Sequence, residues 1–125
     1  MGGPDSFGRL PRRERLTGNR DFQAVFQQGA RIERPSLIVL WKESDRARRV
    51  GFAVSRQMRS AVTRNRVRRR LREAYRVARG AEPTPGDLVI VARRPALTGP
   101  FEALVRDLKG ALGAIAERWR AGRPA

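Results

Sequence analysis

The sequence predicts an α/β (α+β) two-layer sandwich, one mixed sheet with helices packed on it, in the order α-β-β(-β)-α-β-α. Three observations predict it. Short, β-branched apolar runs occur at residues 37–41, 50–55 and 88–92. Between and after them lie two long stretches whose apolar residues recur at helical spacing. Glycine and proline stand at the junctions, as expected where elements end. At 125 residues the chain is near the usual size of one domain. The expected division is a flexible basic arm over 1–15, a single domain over 16–121 and a flexible tail over 122–125.

The first helix is predicted over 19–29. Asn19 or Thr17 caps it, Asp21 suits its positive end, and Gly29 closes it in the left-handed conformation. Phe22, Val25 and Phe26 share one face at i, i+3, i+4. Leu37–Trp41 is the first full strand, with place for a shorter one before it, and Val50–Ser55 is the next. Those two are expected to pair as an antiparallel hairpin, and Gly51 marks a bulge or a close backbone approach. A helix from Thr63, its candidate cap, to about Arg79 carries the stripe Val67, Leu71, Ala74, Tyr75, Ala78 and stops at Gly80. Leu88–Ala92 is apolar without alternation, the pattern of a central strand. The last helix runs from about Pro100 to Arg120, with Leu104, Leu108, Leu112 and Ile115 on its buried face.

Charge narrows the function. Twenty-eight basic residues, twenty-six of them arginine, face twelve acids, for a net charge of +16. Repulsion of that size opposes compaction and points to a polyanionic partner. The cations concentrate in the third predicted quarter of the chain. Arg64, Arg66, Arg68, Arg69, Arg70, Arg72, Arg76 and Arg79 share one helix with a single acid, Glu73. Like charges at i, i+4 cost such a helix a few tenths of a kcal/mol each, so a ligand must offset them. Solvated charged faces normally mix signs, and this one does not. Arginine forks with few side-chain amides suit the backbone and shape of RNA better than base readout. A membrane surface would instead select an amphipathic helix with bulky apolar residues, and no apolar run nears the ~20 residues of a span. A cytoplasmic protein, with no membrane partner, is expected.

The same inventory argues against intrinsic catalysis. The chain has neither histidine nor cysteine, which removes the commonest general base, the thiolate nucleophile and most transition-metal ligation. Its acids form no D-x-D or E-x-x-D spacing able to gather metal ions for phosphodiester hydrolysis.

The run Ala61-Val62-Thr63-Arg64-Asn65-Arg66-Val67-Arg68-Arg69-Arg70-Leu71-Arg72-Glu73-Ala74-Tyr75 resembles the arginine-asparagine-arginine signature of the bacterial ribonuclease P protein subunit. Companion segments stand in the family's order: Arg20-Asp21-Phe22, Val25-Phe26 and Gly29 before it, Arg49 to Ser55 next, and Asp87 to Arg93 after it. The likeness extends over roughly residues 16–95. It implies a protein that joins a large catalytic RNA to remove the 5′ leader of precursor tRNA. Mg²⁺ would be held by the RNA, and the protein alone would not be catalytic. By position it assigns contact with the ribonuclease P RNA to Arg64, Asn65, Arg66, Arg68, Arg69 and Arg72, and contact with the leader to Phe22, Phe26 and Arg56. Asn65 fits a helix-surface or capping role as well as an RNA contact, and Phe22 and Phe26 fit a core as well as a stacking platform. Where the family often carries a strand aromatic in the cleft, this chain has Leu40 with Trp41 beside it, which alternation places on opposite faces. The resemblance also implies a left-handed βαβ crossover. No protein partner is required, and dimerisation is compatible with the sequence. The readings from other classes are a structural RNA-binding protein of ribosomal type, in which both phenylalanines would be buried, and a dimeric DNA-binding regulator.

Overall fold

The computed structural model describes residues 11–55, 58–80 and 84–122. A 3-10 turn at Arg12–Glu14 precedes α1 (Asn19–Gln28), β1 (Ala30–Glu33), β2 (Leu37–Lys42), β3 (Arg49–Val54), α2 (Ala61–Ala78), β4 (Asp87–Ala92), the single turn α3 (Pro95–Thr98) and α4 (Phe101–Ala121). The strands form one mixed sheet in the order β1-β2-β4-β3. The short strand before Leu37 is therefore present, paired antiparallel to β2 with Ala30 opposite Trp41.

The expected hairpin between β2 and β3 does not form. β4 lies between them, antiparallel to β2 and parallel to β3. Leu88, Val89 and Ile90 are fully buried, and a strand so apolar is best satisfied in the centre, where both faces and both edges are covered. Parallel pairing of β3 with β4 then requires a crossover, and α2 is that crossover.

Alternation divides the sheet into two faces. Leu37, Val39 and Trp41, with Val50, Leu88 and Ile90, meet α2 and α4 in the main core. Leu40 and Val89 turn to the opposite face, where Leu16 and Val25 of the N-terminal segment and α1 cover them. Trp41 donates its indole N–H to the Pro85 carbonyl at 2.9 Å. α4 is held to the start of β2 by Ser36, whose hydroxyl and backbone N–H both donate to Asp107 Oδ2, at 2.6 and 3.0 Å.

The helix ends depart from expectation in instructive ways. Gly18 is the N-cap of α1 and offers no side-chain cap, so neither Asn19 nor Thr17 fills that role. Gly29 is extended rather than left-handed; a Cβ there would lie 2.6 Å from the Val25 carbonyl oxygen and 3.1 Å from that of Trp41, so close backbone approach is what calls for glycine. α2 begins two residues before Thr63: Ser60 is its cap, with Oγ accepting the Thr63 N–H at 3.3 Å. Gly80, at φ +75°, ends it as predicted.

Two contacts fix β3. Arg49 makes a bidentate pair with Asp87, its partner across the parallel ladder, at 2.9 Å (Nε to Oδ1) and 2.8 Å (Nη2 to Oδ2), and also reaches Asp21 of α1 at 3.4 Å. The hydrogen bond to Asp87 raises the Arg49 pKa against the opposing cost of burial. A raised cation keeps its stabilisation below the ordinary arginine value and loses it only at higher pH, so this tie is unaffected across the neutral range. On the outer edge, Arg15 bridges Val50 and the Leu16 N–H donates to the Val50 carbonyl at 3.0 Å. The described end of the predicted arm thus lies against the sheet.

Gly51 is the close approach that its position in a strand foretells. A Cβ there would fall 2.3 Å from Phe22 Cζ, so the ring of α1 rests directly on the β3 backbone. Gly51→Ala is expected to destabilise the protein by about 1–3 kcal/mol by overpacking. Urea unfolding of Gly51→Ala, Phe22→Leu and the double variant checks this: the two costs should add to less than their sum, because trimming the ring relieves the clash.

Candidate nucleic-acid interface

α2 is amphipathic by charge as well as by hydropathy. Val67, Leu71, Ala74 and Tyr75 are buried against the sheet and α4, and this anchor sorts the arginines into an outward face and two flanks.

Arg66 and Arg69 point outward. Both are exposed, and neither has a hydrogen bond or ion pair among the described residues. Asn65 is exposed beside them, its Oδ1 accepting from Arg68 Nη1 at 3.3 Å. Glu73, the helix's one acid, is taken up by Arg76 at 3.1 Å; that hydrogen bond raises the Arg76 pKa. Arg64 folds back, donating to the Met58 carbonyl at 3.0 Å and to that of Arg59, so it braces the approach to the helix. On the flank toward α4, Arg70 is a strut: Nε donates to the Ala96 carbonyl at 2.9 Å, Nη2 to that of Gly99 at 2.8 Å, and the guanidinium lies 5.8 Å from the Phe101 ring centroid. The opposite flank carries Arg68 and Arg72, which with Phe22, Gly51 and Phe52 line an open groove at the edge of β3.

The predicted aromatic face resolves residue by residue. Val25 is fully buried, Phe22 is half-buried over Gly51, and Phe26 stands 46% exposed. Neither candidate for a third aromatic position is accessible there. Leu40 belongs to this face but lies beneath α1, and Trp41 belongs to the other. The face continues instead as a shallow groove of about 660 Å³ whose floor includes Ile38 and Val91 and whose rim includes Arg93 and Arg94. Arg56 lies outside the described residues. These groove residues were not singled out from sequence as a site; alternation along β2 and β4, with two arginines just after β4, is the signal that locates them.

The structure therefore places α2, with the signature arginines, and α1, with the two phenylalanines, on opposite faces of the sheet. Helix and groove meet where Arg68 and Arg72 approach Phe22. Among the described residues, no three His, Cys, Asp or Glu side chains converge so as to hold a metal ion, and no helix is long and apolar enough to cross a membrane. What the surface offers chemically is a set of guanidinium donors for phosphate oxygens beside an aromatic and aliphatic floor for bases.

Comparison with known proteins identifies the family. The family model described as Ribonuclease P matches residues 10–116. The chain is 39% identical over 110 residues to the ribonuclease P protein component of Kocuria rhizophila, covering 87% of this chain and 97% of that one. It is 39% identical over 104 residues to that of Gluconacetobacter diazotrophicus, covering 81% and 90%. Among solved structures, the ribonuclease P protein of Thermotoga maritima superposes with a TM-score of 0.71 at 28% identity, covering 82% of this chain and 97% of that one. The Staphylococcus aureus protein superposes with a TM-score of 0.71 at 25% identity, covering 82% and 94%. With a family model matching residues 10–116 and relatives 39% identical over most of both chains, the chain belongs to the bacterial ribonuclease P protein family.

Proposed function

We propose that this chain binds the catalytic RNA of ribonuclease P and the 5′ leader of precursor tRNA, and so supports Mg²⁺-dependent maturation of the tRNA 5′ end in the cytoplasm. The observation that carries the reading is the outward pair Arg66 and Arg69, two cations without partners among the described residues, on a helix whose only acid is already engaged. In this reading Arg66, Arg69 and Asn65 meet the RNA directly, Arg68 and Arg72 meet it along the β3 edge, and Arg64 orders the helix start. The leader lies over Phe26 and Phe22, and the family resemblance assigns Arg56 to the same contact.

In this reading the labour is divided, with the Mg²⁺ held by the RNA; among the described residues no three His, Cys, Asp or Glu side chains converge so as to hold a metal ion. Mg²⁺ there supplies activation of water and stabilisation of charge on the scissile phosphate. The protein's part is to neutralise phosphates that otherwise repel one another and to hold the leader in one place. If about six to ten phosphates are neutralised, affinity falls roughly 10³–10⁵-fold between 50 and 200 mM salt, and less steeply for the single-stranded part. No second protein is needed for this. A purely structural RNA-binding role is disfavoured by the exposure of Phe26, which such a role would bury.

Two measurements test the reading. Cleavage of precursor tRNA by a bacterial ribonuclease P RNA at low Mg²⁺ should be strongly stimulated by the protein, and the stimulation lost with Arg66→Ala or Arg69→Ala. Protein alone should not cleave. Absence of stimulation at any protein-to-RNA ratio, despite tight RNA binding, would move the assignment to a structural RNA-binding protein. Separately, Phe26→Ala should leave the unfolding midpoint unchanged and weaken binding of leader-bearing precursor by about 1–3 kcal/mol relative to tRNA lacking a leader. Equal losses for both RNAs would remove Phe26 from the leader site.

A further inference from the structure

A second pocket lies at the far end of α2 from the arginine-asparagine-arginine signature. It has a volume of about 240 Å³ and is lined by Arg13, Glu14, Ala47, Arg48, Tyr75 and Arg79. Three guanidiniums thus converge there with one carboxylate. The pocket is smaller than the ~300 Å³ at which small-molecule sites begin, so it has room for a single charged group and not for a nucleoside.

Arg48 is the unusual member. Its residue exposure is only 7%, and its one hydrogen bond among the described residues is from Nε to the Thr84 carbonyl at 2.9 Å. Its Nη1 is buried with no hydrogen-bond partner, and it forms no ion pair among the described residues. Burying a guanidinium without a counter-charge is costly, and buried cations are normally paired. The nearest answer in the pocket is Glu14, but its carboxylate is committed to Arg79 Nη1 at 3.2 Å. That pair stands at the pocket's more exposed side, with side-chain exposures of 38% and 26%.

We propose that this pocket is a phosphate-binding subsite, in which one phosphate group takes the place of the Glu14 carboxylate against Arg79 and supplies the missing counter-charge to Arg48. Arginine forks match tetrahedral oxyanions with paired N–H donors, which suits Arg48 and Arg79 to this ligand better than to a carboxylate held by one oxygen. Position favours a phosphate of an RNA backbone. Arg68, Arg72 and Arg79 fall on one flank of α2 at i, i+4, i+11, about 16 Å from first to last. The 3-10 turn at Arg12–Glu14 connects the groove at the β3 edge with this pocket along that flank. A strand following the flank reaches the pocket at its end. A free phosphate ion presents the same chemistry. The RNA source rests on the function proposed above; the phosphate chemistry does not.

The test begins with the full chain and inorganic phosphate, read by the Arg48 Nε–H resonance in ¹⁵N-edited NMR. The expected result is a saturable displacement of that resonance that chloride at equal ionic strength does not produce. Removing Arg48 itself risks unfolding, so two surface variants carry the test with opposite signs. Arg79→Gln should weaken phosphate about tenfold or more, whereas Glu14→Gln should tighten it by removing the competing carboxylate. No saturable displacement, or one with the same midpoint at the Nε–H of Arg66 and Arg69, overturns the proposal, as does a Glu14→Gln variant that weakens phosphate. Binding to a bacterial ribonuclease P RNA then identifies the source. A salt dependence shallower by about one for Arg79→Gln assigns the site to an RNA phosphate. An unchanged slope for Arg79→Gln, with saturable phosphate binding in the wild-type chain and its loss in the variant, assigns the site to free phosphate. A wild-type chain that binds phosphate here and no RNA at all refutes the proposed function and leaves this site standing.

Discussion

Parallel pairing of β3 with β4 governs the arrangement of everything else. Two adjacent strands running the same way cannot be joined by a turn, so the chain between them has to travel the length of the sheet and return. That return is α2, and its buried stripe of Val67, Leu71, Ala74 and Tyr75 holds it over β3 and β4. Once the stripe is fixed, the directions of the arginines follow from the helical repeat. A helix carrying this much like charge would be poor in isolation; tertiary anchoring is what keeps it folded. The bidentate Arg49–Asp87 pair sits at the first rung of the same parallel ladder and sets its register, so an ion pair inside the sheet positions cations outside it.

The arginines of α2 are not interchangeable. Arg70 spends its donors on the carbonyls of Ala96 and Gly99 and couples the helix to the entry of α4. Arg64 closes the loop before the helix, and Arg76 neutralises Glu73. What remains outward at Arg66 and Arg69 is a small fraction of the +16 net charge, yet it is held on a rigid element. Preorganisation of this kind lowers the entropy lost on binding, because the backbone carrying the donors is already ordered.

Much of this was legible in the sequence, and the failures have physical reasons. The long elements were visible because their periodicity is strong: the apolar stripe of α2, that of α4, and the unbroken run of β4. The neighbour of β2 was not, because hydropathy reports which residues are buried and not which strand lies alongside; local connection favoured a hairpin, and the need to bury Leu88–Ile90 in the centre overrode it. Gly51 was read as a bulge or a close approach and is the latter, although its partner, Phe22, is nearly thirty positions away and no local pattern names it. Gly29 was read as a left-handed cap, the usual reason for glycine after a helix, when the constraint is contact with the carbonyls of Val25 and Trp41. At the site, composition and spacing located the arginine helix, but not which of its members are free to bind. That depends on carbonyls brought in by α3 and by the loop before α2. The pocket around Arg48 could not be seen either, since its members come from three separate places in the chain.

The outer edge of β3 carries a consequence of a different kind. Strand edges offer unpaired backbone groups on which a second chain can build, and proteins commonly guard them with charge or with short length. β1, at the opposite edge, has four residues, with exposed Arg31 and Glu33 alternating along it. The β3 edge is longer; the chain at Arg15 and Leu16 covers it at Val50, and Arg68 and Arg72 overhang the groove beside it. The charge that attracts a polyanion therefore also keeps copies of the protein from stacking strand to strand. A short polyanion that neutralised those arginines without covering the edge would strip that guard away, whereas a large folded RNA supplies its own cover. Under the proposed function the same side chains serve both the guarding of the free edge and the binding of RNA, and an arginine-poor variant would lose both.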